Sequence, residues 1–264
     1  MLKGAMHLHS TYSDGEFALR ELRDLFIGEG CQFACVTDHA DYFDETSIQR
    51  YVDECVSLSD ETFVLVAGLE YRCDREMHIL GYGATKLTSA AKPEEVIRHI
   101  ASQGALSVIA HPKDDAFPWI EGFDTLPLGI ETWNTKYDGR YAPRPGTFAL
   151  LRRLQQSQPS MMAFFGQDLH WRKQFHGMFV HVDCGAIATE TILSALASGR
   201  YYGTKGEHQL PSSGVIPEDL LAEFGRVHSR SYRMWRLLKN GKQMLDRVGI
   251  KMPASVKARL RRIF

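Results

Sequence analysis

Residues 6–15 of the chain are MHLHSTYSDG, in which His7 and His9 flank one leucine and precede a turn-rich loop that contains Asp14. If Ala5–His9 forms a strand, both imidazoles leave the same face about 7 Å apart, a spacing that suits two ligands of one metal ion. An HxH pair alone is weak evidence, because unrelated histidines also occur at this spacing. Its meaning depends on what the other strands carry.

Short apolar runs alternate with helical patterns along the chain. The predicted strands are Ala5–His9, Phe33–Thr37, Phe63–Leu69, His78–Tyr82, Leu106–Ala110, Leu128–Trp133 and Met161–Gly166. The predicted helices are Glu16–Gly30, Glu45–Leu58, Pro93–Ser102 and Pro145–Gln155. Strands that alternate with helices favour parallel pairing, in a closed barrel or a doubly wound sheet. No glycine-rich phosphate loop follows the first strand, which disfavours a nucleotide-binding open sheet.

Histidines and carboxylates recur at the ends of these predicted strands. They are Asp38 and His39 in VTDHAD, Glu70 in VAGLEYR, His78 in HILGYG, His111 in VIAHPK, and Asp168 and His170 in FGQDLH. The carboxyl ends of the strands of a parallel barrel share one mouth, where active sites are built. So many ionisable groups beside apolar strands would leave buried charge uncompensated without a bound cation. The pattern therefore predicts a metal centre.

Taken together, HLHSTYSDG, TDHAD, GLEYR, AHP and QDLH resemble the successive motifs of the PHP family, the polymerase-and-histidinol-phosphatase metallo-phosphoesterases. The motifs span residues 7–170. The resemblance implies an α/β fold, a distorted (β/α)7 barrel, with two or three divalent ions in its mouth, commonly Mn, Fe or Zn. Matched position by position, the implied metal ligands are His7, His9, Asp14, His39, Glu70, His78, His111, Asp168 and His170.

Within that set, we expect Glu70 to bridge two ions. The first ion would take His7, His9 and Asp168, the second His78 and His111, and the third Asp14, His39 and His170. Mixed imidazole and carboxylate ligands independently suit Mn, Fe or Zn, whereas the excess of histidine disfavours magnesium and calcium. The expected activity is hydrolysis of a small phosphate ester by a metal-bridging hydroxide, with monoesters favoured and with Glu70, Asp168 and His170 as catalytic residues.

Three cations in loops after predicted strands are candidates for binding the substrate phosphate. They are Lys113 after AHP, Arg140 in NTKYDGRYAPRPG and Arg172 after QDLH. Glu131 and Asn134 in GIETWN also resemble a family position near the pocket, although hydrogen bonding between a strand end and a loop would explain them equally well. A point charge does not identify a substrate.

The charge of the chain is unevenly distributed. Of its 264 residues, residues 225–264 contain twelve Lys and Arg against Asp246 alone, a net charge of +11, whereas residues 1–224 carry −12. We therefore predict a barrel domain in residues 1–224 and a basic helical C-terminal extension in residues 225–264. Ser231–Val248 has the pattern of a basic amphipathic helix. We expect it to pack on the barrel; binding to an anionic membrane surface, binding to a nucleic-acid backbone and self-association are the alternatives.

The N-terminal residues lack the apolar core of a signal peptide, so we expect a cytoplasmic protein, with peripheral membrane association as the alternative. Five cysteines without a CxxC pair indicate reduced, mostly buried thiols. Three other functions stay open: a phosphodiesterase or exonuclease acting on nucleotides, an amidohydrolase barrel, and a non-catalytic metal-binding regulatory module. Nucleic acid is the less favoured partner, because the acidic residues 1–224 would repel a polyanion.

Overall fold

The computed structural model describes residues 1–247. The strands of this part of the chain are β1 Leu2–Leu8, β2 Phe33–His39, β3 Val64–Arg72, β4 His78–Tyr82, β5 Leu106–Ile109, β6 Gly129–Asn134, β7 Met162–Gly166, β8 Phe179–Val182, β9 Tyr201–Lys205 and β10 His208–Pro211. The α-helices are α1 Leu19–Gly28, α2 Glu45–Ser57, α3 Pro93–Ser102, α4 Phe117–Ile120, α5 Pro145–Ser157, α6 Thr189–Ala197 and α7 Glu218–Arg247.

Strands β1 to β7 pair in sequence order around a barrel. The barrel closes where the residues after β7 reach β1: Leu8 and Leu169 form a parallel bridge, and the His9 backbone N–H donates to the Leu169 carbonyl at 3.0 Å. At the other end of β1, Leu2–Gly4 pairs antiparallel with β8, which continues into β9 and β10. The predicted distorted seven-stranded α/β barrel is therefore confirmed, with a three-stranded antiparallel addition that the sequence analysis did not predict.

The expectation of parallel pairing throughout is wrong for β4, which runs antiparallel to both β3 and β5. Five residues, 73–77, join β3 to β4, and a parallel crossover needs about a dozen or more. The chain therefore turns back as a hairpin. Because β4 is reversed, its first residue, His78, lies at the same end of the barrel as the last residues of β3.

Apolar side chains fill the space between the barrel and its helices. Helix α1 buries Leu19, Leu22 and Phe26, as its helical spacing predicts. Helix α2 begins at an Asp44 cap, whose carboxylate accepts from the backbone N–H groups of Thr46 and Ser47. All five cysteines are free; four are buried and one is partly buried, which confirms the predicted reduced thiols.

Helix α7 is continuous across the predicted boundary between residues 224 and 225. Near its start, Phe224 is buried and its ring centroid lies 5.8 Å from that of Trp133 on the barrel. The predicted helix Ser231–Val248 lies within α7 up to Arg247; Val248 and the rest of the basic extension lie outside the described residues. Across residues 1–247, no helix combines the length and the apolarity needed to cross a membrane.

Candidate metal centre

The mouth of the barrel brings together all nine side chains that the sequence analysis named as ligands. Their potential ligand atoms fall into four overlapping groups, each with its atoms within 4.8 Å of one another. The groups are His7, His9 and Asp168; His7, Glu70 and His111; His39, Glu70 and His78; and His9, Asp14, His39 and His170. The first group is the expected set for one ion. His78 and His111 were expected on one ion but fall in separate groups, each with Glu70.

Glu70 lies at the centre of the arrangement and is 1% exposed. Its Oε1 atom is 2.8 Å from His78 Nδ1 and 3.3 Å from His111 Nε2. Its Oε2 atom is 3.2 Å from His9 Nε2 and 3.3 Å from His7 Nε2. A carboxylate with imidazoles facing both of its oxygens has the geometry that a bridging ligand requires.

Three of the nine residues have left-handed backbones, with φ of 59° at His7, 29° at His111 and 52° at Asp168. Residues other than glycine rarely adopt such angles, and they cluster at functional sites where the surrounding structure enforces them. The pairing of β1 with β2 is irregular between Ala5 and Leu8, and β1 ends before His9. The two histidines of the HxH pair therefore meet, with ring centroids 5.2 Å apart, through a bulge rather than through strand alternation.

Buried polar atoms without a hydrogen bond indicate whether the barrel mouth suits a cation. His9 is fully buried, yet among the described residues neither of its ring nitrogens makes a hydrogen bond. Nε2 of His9 and Nδ1 of His78 approach Glu70 at 3.2 Å and 2.8 Å without hydrogen-bond geometry. Buried polar atoms are almost always hydrogen-bonded in native proteins, and exceptions call for an explanation such as a bound ion. Imidazole nitrogens and carboxylate oxygens together are donors that suit divalent transition metals. The donor set therefore fits such ions.

The charges of the site follow from burial and from close opposite charges. Burial alone would raise the pKa of Glu70 and of Asp168, but the facing imidazoles, His7 foremost, hold both pKa values well below the usual range. Burial lowers the pKa of His9 to about 3, so this imidazole is neutral at neutral pH. Ionised carboxylates and a neutral imidazole are the protonation states in which these groups bind metal ions.

A second layer of side chains orients the ligands from behind. Oε1 of Glu131 accepts a hydrogen bond from His7 Nδ1 at 2.8 Å, and Oε2 accepts from the His111 backbone N–H at 2.9 Å and from Asn134 Nδ2 at 2.8 Å. This leaves Nε2 of His7 facing the site. Gly166 permits this approach, because a Cβ atom there would lie 1.8 Å from Glu131 Oε1.

Lys136 is a residue of the site that the sequence analysis missed. Its Nζ lies 2.8 Å from Asp168 Oδ1 and 3.3 Å from His170 Nδ1, and its side chain is 22% exposed. It follows the carboxyl end of β6 in the same loop as Arg140, which the sequence analysis selected instead. The sequence feature that could have identified Lys136 as a site residue was its position two residues after Asn134, the last residue of β6.

The three predicted substrate cations occupy different surroundings. Lys113 borders two cavities that both reach His111, one of about 230 Å³ beside His78 and one of about 820 Å³ beside α7. The guanidinium of Arg140 lies over the ring of Tyr141, and that of Arg172 lies over the ring of Phe17. Lys113 thus lies beside a candidate ligand and two cavities; the substrate-binding roles of Lys113, Arg140 and Arg172 all stay predictions.

No protein-family model matches the chain. A stretch of 41 residues, 16% of the chain, is 46% identical to the DNA polymerase/3'-5' exonuclease PolX of Bacillus subtilis, and the match covers 7% of that protein. Among solved structures, a two-domain protein of Bacteroides vulgatus containing a predicted PHP-like metal-dependent phosphoesterase aligns with a TM-score of 0.59 at 19% identity, over 84% of this chain and 68% of that one. An amidohydrolase of Chromobacterium violaceum with bound sulfate aligns with a TM-score of 0.50 at 14% identity, over 75% and 96% of the two chains.

The two solved structures are 19% and 14% identical to the chain, and the PolX match covers 16% of it, so these likenesses bear on architecture and not on activity. The resemblance noted in the sequence is confirmed at that level: the chain has the fold of the PHP-like metal-dependent phosphoesterases.

Proposed function

We propose that this protein is a metal-dependent phosphoesterase that hydrolyses a small phosphate ester. One observation carries the proposal: nine imidazole and carboxylate side chains converge around Glu70 in the barrel mouth, and within residues 1–247 the buried ring nitrogens of His9 make no hydrogen bond, although Nε2 faces Glu70 at 3.2 Å. Two or three divalent ions, Mn, Fe or Zn, would occupy the four ligand groups. When bound, such ions make water acidic enough to attack at neutral pH and polarise the phosphoryl oxygens.

The side chains of the chain divide the remaining tasks. Glu70 and Asp168 supply negative charge at the centre of the mouth, and Glu131 holds the His7 imidazole in one tautomer. His170 lies beside Asp168, with its Nδ1 3.1 Å from Asp168 Oδ1. Lys113, at the junction of the two cavities, is placed to attract the phosphate group of the substrate. We therefore propose Glu70, Asp168 and His170 as the catalytic residues.

Charge favours a monoester. Three divalent ions would bring +6 to a mouth in which Asp14, Glu70 and Asp168 supply −3, and a phosphate monoester dianion offsets that surplus better than a monoanionic diester does. Two ions would leave little surplus, and the preference would then be weak.

A phosphodiesterase or exonuclease acting on nucleotides is the second candidate. The observation in its favour is the 41-residue match to a protein named DNA polymerase/3'-5' exonuclease. Against it, residues 1–224 carry −12, which repels a long polyanion approaching the mouth. A small substrate therefore suits the protein better.

Metal analysis of the purified protein, combined with a screen of phosphate monoesters, phosphate diesters and lactams, tests the proposal. We expect divalent transition metal in the protein and phosphate release that is fastest from monoesters. Asp168→Asn should lose this activity, whereas Asp124→Asn, at a surface residue 78% exposed, should keep it. Faster lactam than ester hydrolysis would assign an amidohydrolase, and tight metal binding without any turnover would assign a regulatory module.

A further inference from the structure

The larger cavity is a groove between the barrel mouth and α7. Three barrel residues, His111, Lys113 and Tyr137, face three residues of the helix, His228, Tyr232 and Arg233, across about 820 Å³. Pockets that bind small molecules commonly measure about 300–1,000 Å³. Because His111 belongs both to the groove and to the metal centre, a ligand in the groove extends directly to the proposed reaction site.

The charges that line this groove do not cancel. Asp114 and Arg144, which also line it, pair with each other at 2.9 Å and contribute no net charge. Lys113 and Arg233 form no ion pair with any residue in the described part of the chain, and Arg233 Nε donates to the Ser229 carbonyl at 3.2 Å. Two cations without carboxylate partners, on opposite walls of one groove, form a surface that attracts an anion.

We propose that this groove binds a second anionic group of the substrate, a phosphate or a carboxylate, while the scissile phosphate lies at the metal centre. This inference rests on the proposed phosphoesterase activity and names the substrate class: a phosphate ester whose leaving group is itself anionic. Arg233 offers a planar guanidinium that binds either anion in a bidentate manner, and Lys113 offers a compact charge between the groove and the smaller cavity.

Aromatic rings line the path between the two ends of such a substrate. The ring of Tyr137 lies 4.3 Å from the ring of His111 by centroids and is 51% exposed. Across the groove, Tyr232 stacks with His228 one helical turn before it. Ring faces and edges on both walls suit an extended carbon chain or a planar group between the two anions. Helix α7 thus completes the substrate site rather than acting as a separate tail.

The test compares three ester series of matched chain length: monoalkyl phosphates, ω-carboxyalkyl phosphates and alkanediol bisphosphates. We expect kcat/KM at the best chain length to be about tenfold higher for an ester with a second anion than for the monoalkyl phosphate, since a charge-assisted hydrogen bond contributes on that order. The series with the higher value identifies the second group as phosphate or carboxylate. Equal kcat/KM across all three series would overturn the inference while leaving the phosphoesterase proposal intact.

Arg233→Gln should reduce this tenfold preference to about twofold or less, because glutamine keeps the bulk but not the charge. The matched control is Arg236→Gln, at an exposed arginine of the same helix outside the groove, which should keep the preference. A preference that survives Arg233→Gln would overturn the assignment to the groove. Calorimetric Kd values for an alkanebisphosphonate and the matching alkylphosphonate measure binding without turnover. If no ester is hydrolysed, the proposed phosphoesterase function fails. Equal Kd values for the two phosphonates would then reject the binding of a second anion in the groove as well.

Discussion

Glu131 accepts a hydrogen bond from Nδ1 of His7 at 2.8 Å, and both side chains are fully buried behind the barrel mouth. The same carboxylate also accepts from His111 and Asn134, so it orients two of the predicted metal ligands at once. Carboxylates that hold a ligating histidine in this way typically contribute about 10- to 100-fold to metal affinity.

Glu131→Gln should therefore weaken metal binding by about 10- to 100-fold. The glutamine amide presents N–H groups where the carboxylate accepted three N–H donors, so at least one hydrogen bond is lost without removing a predicted ligand. A chelator competition titration measures the change. Glu121→Gln is the control, since Glu121 pairs with Arg153 on the surface. Unchanged affinity in the Glu131 variant would show that His7 does not bind metal through Nε2.

His9→Ala should abolish metal-dependent phosphatase activity, because His9 belongs to two of the four ligand groups. We expect a loss of at least about a hundredfold in kcat/KM, with far-ultraviolet circular dichroism unchanged. His99→Ala, on α3 and away from the mouth, should retain full activity. Full activity in a His9→Ala preparation that has been stripped of metal and reloaded would contradict the assignment.

The sequence predicted the barrel and the nine residues of the mouth because both leave local signals. Each strand is a short apolar run, and most of the candidate ligands lie at or beside a strand end. The full set of nine, with Asp14 in the loop after β1, is what the resemblance to the PHP motifs implied. The antiparallel direction of β4 could also have been predicted, because the five residues between β3 and β4 are too few for a parallel crossover. The alternation of strands and helices elsewhere in the chain favoured parallel pairing instead.

Other features depend on contacts that no local pattern records. Nothing in the sequence marks the left-handed backbones of His7, His111 and Asp168, which arise where the barrel closes and the strands bulge. Lys136 is one of 31 lysines and arginines, and its contact with Asp168 joins residues 32 positions apart. The contribution of α7 to the groove likewise depends on how the helix docks near Trp133.

Lys136→Met should change two properties in opposite directions. The ammonium group is 2.8 Å from Asp168, so its removal takes away one of the positively charged partners of a buried carboxylate and should lower the unfolding free energy of the metal-free protein by about 2 kcal/mol. The same removal eliminates a positive charge that repels incoming ions, so metal affinity should rise by about tenfold.

Denaturant unfolding of the metal-free protein and chelator competition measure these two changes. Lys92→Met is the control, because Lys92 is 71% exposed and lies 4.0 Å from Glu95 of α3 rather than from a residue of the metal centre. If Lys136→Met weakened metal binding instead, Lys136 would be supporting the ligands rather than competing with the ions.

Metal affinity should increase with pH, because protons and metal ions compete for the same imidazoles. Burial alone would lower the pKa of His7 and of His111, but the surrounding carboxylates outweigh it and raise both pKa values above the usual value for histidine. In the metal-free protein these rings therefore keep their protons to a higher pH than an ordinary histidine does, and a protonated ring must release its proton when an ion binds. His9, with a pKa of about 3, is already neutral and releases none.

Calorimetric titration of metal into the metal-free protein, in two buffers that differ in ionisation enthalpy, counts the released protons. We expect net proton release and an affinity that keeps rising as the pH increases above about 6.5, the ordinary pKa of histidine, because the pKa values of His7 and His111 are both raised. Glu131→Gln provides the internal comparison: removing the charge of Glu131 lowers the pKa of His7, so this variant should release fewer protons. Equal proton release in both proteins would mean that the carboxylate of Glu131 does not set the charge of His7, and the role given to their hydrogen bond would then be wrong.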